Sequence, residues 1–245
     1  MQDTNDAGKV ALITGANQGI GFEIARQLGR RGMTVIASAR DPQRGAEAVE
    51  KLRKEGVQAH SLLLDVTDQA AIDAAANLVA RQFGKLDVLI NNAGIVAQRA
   101  IPSESDVDKM RQTFETNVVG LFAVTKAFLP LLRKSSAARI VNVSSALGSL
   151  TRVSDPRQTT YENVYVAYGA SKAAVNSITI AFARELRDTA IKVNVAAPGY
   201  TSTAINNFAG PQTVEQGAEA AVHLATLPED GPSGSFLDRF GTVPW

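Results

Sequence analysis

The sequence predicts an α/β fold: one domain built on a doubly wound, mainly parallel, seven-stranded sheet with helices on both faces. Three observations predict it. Short runs rich in valine, isoleucine and leucine alternate with stretches whose apolar residues recur at helical spacing. Several of those runs end in glycine, asparagine, serine or proline, residues suited to loops at the ends of strands. The 245 residues, 45% hydrophobic and 20% charged, suffice for one such sheet and its two helical layers. No internal repeat or low-complexity segment interrupts the alternation.

Composition also excludes function classes. Lys+Arg 25 against Asp+Glu 24 leaves a net charge of +1, so no electrostatic footprint points to nucleic acid or an anionic membrane. With no cysteine, disulfides, thiolate metal sites and a cysteine nucleophile are ruled out, and a reducing compartment is permitted. Residues 1–9 are polar and lack the apolar core of a signal peptide, and no apolar run is expected to reach bilayer-crossing length. The expectation is a soluble, cytoplasmic protein.

The first strand, residues 9–14 (KVALIT), ends at Gly15-Ala16-Asn17-Gln18-Gly19-Ile20-Gly21, after which Phe22, Ile24, Ala25 and Leu28 recur at helical spacing. Strand, glycine turn, helix with G-x-x-x-G-x-G spacing is a variant of the dinucleotide fingerprint, because a pyrophosphate can approach the free N–H groups and positive end of the helix. The fold is therefore of Rossmann type. The second strand, 34–37, leads into Ser38-Ala39-Arg40-Asp41. An acidic residue there would bind the ribose hydroxyls of NAD, whereas arginine suits the 2′-phosphate of NADP. Asp41, just before Pro42, reads as a helix cap and frees Arg40 for the phosphate, with Asn17 as a further donor. NADP(H) is the expected cofactor.

A helix over 46–55 and a strand over 59–64 lead to Asp65-Val66. Asp65 reads equally as an acceptor for the adenine amino group or as the cap of a helix from Thr67 to about residue 83. The fourth strand, 86–90, runs directly into Asn91-Asn92-Ala93-Gly94, small enough to lie against a flat ring and with amides to hold neighbouring loops. One long helix is expected over 107–133, with Asn117 inside it. The fifth strand, 139–143, ends at Ser144-Ser145, and a polar, turn-rich connection over 148–166 contains Tyr161 and Tyr165. It reads equally as a flap beside a cleft or a plain surface connection. The helix that follows opens with Tyr168 and Lys172, and the sixth strand, 192–197, runs into Pro198-Gly199-Tyr200-Thr201-Ser202-Thr203. A helix over 213–227 with a Thr213-x-x-Gln216 capping box and a last strand over 235–237 complete the pattern. Trp245 reads equally as a cleft-lining residue or an exposed end.

Tyr168 and Lys172 stand at i and i+4 on one helix face, where an ammonium is expected to favour the phenolate and lower the tyrosine pKa. Among the four tyrosines only Tyr168 has a lysine four residues on. A serine-hydrolase reading fails, since there is no G-x-S-x-G elbow and His60 and His223 read as structural or surface residues.

Thr14-Gly15-x-x-x-Gly19-x-Gly21, Asn91-Asn92-Ala93-Gly94, Asn117, Ser145, Tyr168-x-x-x-Lys172 and Pro198-Gly199 stand in the order seen in short-chain dehydrogenases/reductases. The resemblance runs from about residue 9 to the C-terminus, and within that family the chain looks most like the NADPH-dependent carbonyl reductases. It implies hydride transfer to a carbonyl carbon, with Ser145 polarising the carbonyl oxygen and Tyr168 as general acid. Lys172 would hold the nicotinamide ribose and Asn117 a water relaying protons. It also implies that Gly15, Asn17, Gln18, Gly19, Ile20, Gly21, Ser38, Arg40, Asp65, Val66, Asn92, Ala93, Gly94, Tyr168, Lys172, Pro198, Gly199, Thr201 and Thr203 meet the cofactor. Residues 9–145 would form the cofactor half and 145–245 the catalytic half. The 148–166 connection resembles a shortened form of the carbonyl-reductase insertion. The expected partner is an apolar aldehyde, ketone or quinone, or the matching alcohol, handled by a monomer or homo-oligomer. Alcohol oxidation and a non-catalytic NADP sensor are the alternatives.

Overall fold

The apolar runs form strands in the computed structural model, which describes residues 6–157 and 165–245. In chain order they are β1 (Val10–Ile13), β2 (Thr34–Ala39), β3 (Ala59–Leu63), β4 (Val88–Asn91), β5 (Arg139–Val143), β6 (Lys192–Ala196), β7 (Phe236–Asp238) and β8 (Gly241–Thr242). They make one sheet in the order β3-β2-β1-β4-β5-β6-β7-β8, parallel as far as β7. The eighth strand corrects the expected seven: it is two residues long, pairs antiparallel with β7 and has no apolar alternation to announce it. Because β1 lies between β2 and β4, the winding reverses there, which opens a crevice at the carboxyl ends of the strands.

Helices cover both faces: α1 (Gly19–Arg30), α2 (Pro42–Lys54), α3 (Gln69–Phe83), α4 (Val107–Phe114), α5 (Leu121–Leu132), α6 (Leu150–Val153), α7 (Val166–Glu185) and α8 (Val214–Ala225). Successive β1 residues point to opposite sides. Ala11 and Ile13 join a core with Leu28 of α1, Leu52 of α2 and Leu224 of α8. Val10 and Leu12 join another with Ile72 of α3, Phe128 of α5 and Phe182 of α7. Strands buried on both faces explain why the runs are continuously apolar.

Helix starts follow their caps. Asp41 accepts the Arg44 N–H and caps α2 as expected, and Thr213 and Gln216 close a capping box on α8. Asp68, accepting from the Ala70 and Ala71 N–H groups, caps α3, so that helix begins two residues later than expected. The helix expected over 107–133 is interrupted by a π-turn, Glu115–Gly120. At its end Gly120 lies against β3's following loop, where a Cβ would stand 2.5 Å from the Val66 carbonyl oxygen. Taken together, Val107–Leu132 is long and apolar enough to cross a membrane, contrary to expectation; here Val124, Phe128, Leu131 and Leu132 are buried against the sheet. Trp245 does not line the cleft: of its two readings the exposed end holds, although its ring packs 5.4 Å from that of Phe236. Its carbonyl accepts the Thr151 N–H at 3.0 Å, and that of Pro244 accepts the Ser149 hydroxyl at 2.6 Å. Tyr161, with residues 158–164 of the connection, lies outside the described residues.

Candidate active site

The crevice holds a cleft of about 670 Å³ that runs from Arg40 and Asp65 at one end to Ser145 and Tyr168 at the other. Its floor is the glycine turn, where Gly15 and Gly19 adopt φ of +63° and +58°, a region that suits glycine. The Asn92 amide donates to the carbonyls of Thr14 (2.8 Å) and Gly15 (3.2 Å), and Thr14 Oγ1 accepts the Asn92 and Ala93 N–H groups at 2.9 Å. A Cβ on Gly21 would stand 2.4 Å from Asn92 Nδ2, so this glycine makes room for an asparagine of the next motif. Gln18 gives α1 no side-chain cap and its first turn has no acid, leaving the helix N-terminus open to an anion. Thr203 lies opposite, its methyl 3.6 Å from where a Gly19 Cβ would be.

At the β2 end, Arg40 is exposed on the cleft wall and has no ion pair among the described residues. Ser38 is buried with its hydroxyl unpartnered and its carbonyl accepting the Ala16 N–H at 2.8 Å, so it supports the glycine turn from beneath and does not line the cleft. Asp65 accepts the N–H and hydroxyl of Thr67, at 2.9 and 2.7 Å, in a tight turn ahead of α3. Those bonds hold its carboxyl below the usual range, with a smaller pull from Arg40. Val66, Ala93, Gly94, Pro198, Gly199 and Thr201 line the same cleft, as do Asn17, Gln18 and Ile20. The open helix terminus, the free Arg40 cation and the small floor fit a phosphorylated dinucleotide.

At the other end, Ser145 follows β5 on a tight turn clamped to α7. Ser144 Oγ donates to the Lys172 carbonyl at 3.2 Å, and Asn176 Nδ2 donates to the Gly148 carbonyl at 3.0 Å. A Gly148 Cβ would stand 2.7 Å from the Lys172 carbonyl carbon. Lys172 Nζ lies 5.6 Å from the Tyr168 ring centroid and donates to the Val143 carbonyl at 2.8 Å. The expected lowering of the tyrosine pKa is corrected here. Burial pushes the Tyr168 phenol up to about 12, outweighing the opposing pulls of a Ser145 hydrogen bond and the Arg99 charge. Burial also pushes the Lys172 ammonium down to about 8. Desolvation dominates both groups: Lys172 is buried and Tyr168 is half-buried at the inner end of the cleft.

Asn117 reaches the site from the π-turn, a common setting for functional residues. Its Oδ1 accepts the Ile95 N–H at 2.8 Å, while Nδ2 donates to the Ile95 carbonyl and to Ser171 Oγ, both at 3.0 Å. Ser171 Oγ donates in turn to the Tyr168 carbonyl at 2.7 Å. The amide thereby bolts the loop after β4 to the tyrosine helix.

The substrate side of the cleft is closed by Ile95, Leu147, Tyr165, Ile205 and Phe208, with Arg99 among them. Arg99 packs its guanidinium 5.3 Å from the Tyr165 ring centroid and donates from Nη2 to the Ile205 carbonyl. Asn207 and Phe208 both adopt left-handed backbone, φ 52° and 60°, which is costly for phenylalanine and aims its exposed ring at the cleft.

The family model described as short chain dehydrogenase matches residues 9–213. The chain belongs to the short-chain dehydrogenase family. It is 36% identical to short-chain dehydrogenase/reductase 1 of Saponaria officinalis, over 97% of this chain and 96% of that one. It is 34% identical to the (-)-isopiperitenone reductase of Mentha piperita, over 94% and 96% of the two chains. Among solved structures, the NADPH-bound carbonyl reductase from chicken fatty liver superposes with a TM-score of 0.86 at 30% identity, covering 98% of this chain and 99% of that one. This short-chain dehydrogenase is thus an oxidoreductase of a family that uses nicotinamide dinucleotides. Of its four expected catalytic residues Ser145, Tyr168 and Lys172 line the cleft and Asn117 is buried behind it, bonded to Ile95 and Ser171; of the expected cofactor residues only Ser38 stands off the cleft wall. The sequence also points to 95–101 and 204–208 as mostly apolar or small walls of the substrate cleft, and both stretches line it, but the charge of Arg99 in the first and its packing on Tyr165 were missed.

Proposed function

We propose that this short-chain dehydrogenase reduces the carbonyl of an apolar aldehyde, ketone or quinone with NADPH. The observation that carries it is the meeting of Ser145, Tyr168 and Lys172 at one end of a cleft whose other end is an anion-ready helix terminus beside the exposed Arg40. The NADPH-bound carbonyl reductase and the isopiperitenone reductase among the similar proteins support the same reading. When bound, the reduced nicotinamide supplies the hydride. Arg40 would hold the 2′-phosphate, the α1 terminus the pyrophosphate and Lys172 the ribose hydroxyls. The cofactor half, about 9–145, and the catalytic half, about 145–245, would divide these tasks.

The Ser145 hydroxyl donates to the substrate carbonyl oxygen and stabilises the charge that grows there. Tyr168 donates its proton to that oxygen. A phenol with a pKa of about 12 is essentially all protonated at neutral pH, the state a general acid requires. Lys172, with a pKa of about 8, stays mostly cationic at pH 7. Asn117 keeps Ile95 and Ser171 in register with both its amide N–H donors, and a relay water beside it would be held by its backbone or by the second lone pair of Oδ1.

The test is the loss of NADPH absorbance with purified protein and a panel of aldehydes, ketones and quinones, repeated with NADH. Tyr168→Phe should lose about 10²–10⁴ of turnover while still binding NADPH. Near-normal turnover in that variant would remove the phenol from the proton step. Tight NADPH binding without turnover of any carbonyl would turn the assignment towards a sensor.

A further inference from the structure

The charges along the cleft are sorted. Among the described residues that line it, the acids Asp41 and Asp65 stand at the β2–β3 end with Arg40 and Arg44. At the Ser145 end both charged groups are cations, Lys172 and Arg99. Lys172 is buried beneath the reacting position, whereas Arg99 sits out on the wall where a substrate's far end would lie.

We propose that Arg99 is a substrate-recognition residue, binding an anionic oxygen group, a carboxylate in the simplest case, carried by the substrate away from its reacting carbonyl. The inference rests on the carbonyl-reductase reading and narrows its substrate class. Three observations support it. Arg99 has no ion pair among the described residues. Its guanidinium is oriented: one nitrogen donates to the Ile205 carbonyl and the plane packs on Tyr165, which leaves its other N–H donors for an acceptor. It also belongs to two cavities at once, the main cleft and an adjoining one lined mainly by apolar residues such as Ile101, Leu147, Leu150 and Val153, with Glu104 as its one acid among the described residues. An elongated substrate entering the second cavity would pass the guanidinium. The charge bears on the reacting end as well, since it acts to lower the Tyr168 pKa.

The effect on the phenol would touch every substrate alike, so the test reads a ratio. We would compare 4-formylbenzoate with its methyl ester in the parent, Arg99→Gln and Arg99→Lys, by kcat/KM with NADPH. A charge-assisted hydrogen bond contributes about 1.5–3 kcal/mol, or roughly 10–100-fold. The carboxylate-to-ester ratio should therefore fall by about that factor in Arg99→Gln, mainly through KM, and be partly kept in Arg99→Lys. Calorimetric titration with the product alcohol, 4-(hydroxymethyl)benzoate, should show the same loss of affinity without any turnover. A ratio that stays constant across the three proteins, with both substrates falling together or neither, overturns the role of Arg99 and leaves the carbonyl reductase standing. Absence of turnover of either aldehyde by the parent, together with no binding of the alcohol, overturns the role of Arg99, and the carbonyl-reductase reading falls with it only if the whole carbonyl panel is also left unreduced.

Discussion

Replacing Lys172 by methionine should abolish activity while leaving the protein at least as stable as it is at neutral pH. Lys172 is 4% exposed, and its ammonium has one hydrogen-bond partner among the described residues, the Val143 carbonyl at 2.8 Å. Burial takes its pKa from 10.5 to about 8. At about 1.4 kcal/mol per tenfold change in proton affinity, the folded protein holds that charge at a cost of about 3 kcal/mol. Methionine has a stem of similar length and removes this cost, but it leaves the Val143 carbonyl unpaired, which costs about 1–3 kcal/mol. The balance is about 0–2 kcal/mol in favour of the variant, a rise in Tm of zero to several degrees at roughly 2–4 °C per kcal/mol for a chain of this size. The pH dependence follows from the direction of the change. Below about pH 8 folded and unfolded chains both carry the proton and the cost is fully present; as pH rises towards 10.5 the folded chain has lost it and the cost falls away. Thermal unfolding of both proteins at pH 7 and pH 9.5, with NADPH turnover alongside, is the assay. The advantage of methionine should be largest at pH 7 and shrink at pH 9.5. A variant melting more than about 5 °C below the parent at both pH values would mean that Lys172 stabilises the fold, and would refute the account of a charge retained for function.

Two other substitutions test separate parts of the site. Arg40→Gln should reduce the preference for NADPH over NADH by about 10–100-fold in kcat/KM, the size of a lost charge-assisted contact to phosphate; an unchanged preference would place 2′-phosphate recognition elsewhere. Gly148→Ala introduces a methyl 2.7 Å from the Lys172 carbonyl carbon and 2.9 Å from the Ala173 nitrogen. The turn bearing Ser145 must then move off α7, so kcat should fall about tenfold or more with about 1–3 kcal/mol of lost stability by denaturant titration, and an unaltered kcat would show that the clamp does not set the serine's position.

Much of this was legible in the sequence because it depended on local pattern. Continuous apolar runs revealed the parallel strands, and the caps Asp41 and Thr213 were recognisable from their neighbours alone. The residues of the catalytic cluster were readable because they sit at strand ends or one helical turn apart. What escaped depended on distant parts of the chain. The π-turn around Asn117 leaves the apolar periodicity of 107–133 almost intact, and it is marked only by Gly120 meeting Val66. The role of Gly21 is set by Asn92, seventy-one positions away. The direction of the Tyr168 pKa was misjudged because i,i+4 spacing reports the lysine and says nothing of the burial that outweighs it. Arg99 was hidden for the same reason: its neighbours Tyr165 and Ile205 come from later in the chain.

The last two residues matter for how the protein is handled. Pro244 and Trp245 offer their carbonyls to Ser149 and Thr151, a few positions beyond Ser145, and the Arg152–Asp238 ion pair at 3.3 Å ties the same segment to β7. An affinity tag joined to Trp245 would begin beside the 149–152 segment and compete for the contacts that hold it. Kinetic constants from a sample tagged at Trp245 would then describe a loosened segment a few residues beyond Ser145, so a tag ahead of β1 is the sounder choice for every assay above.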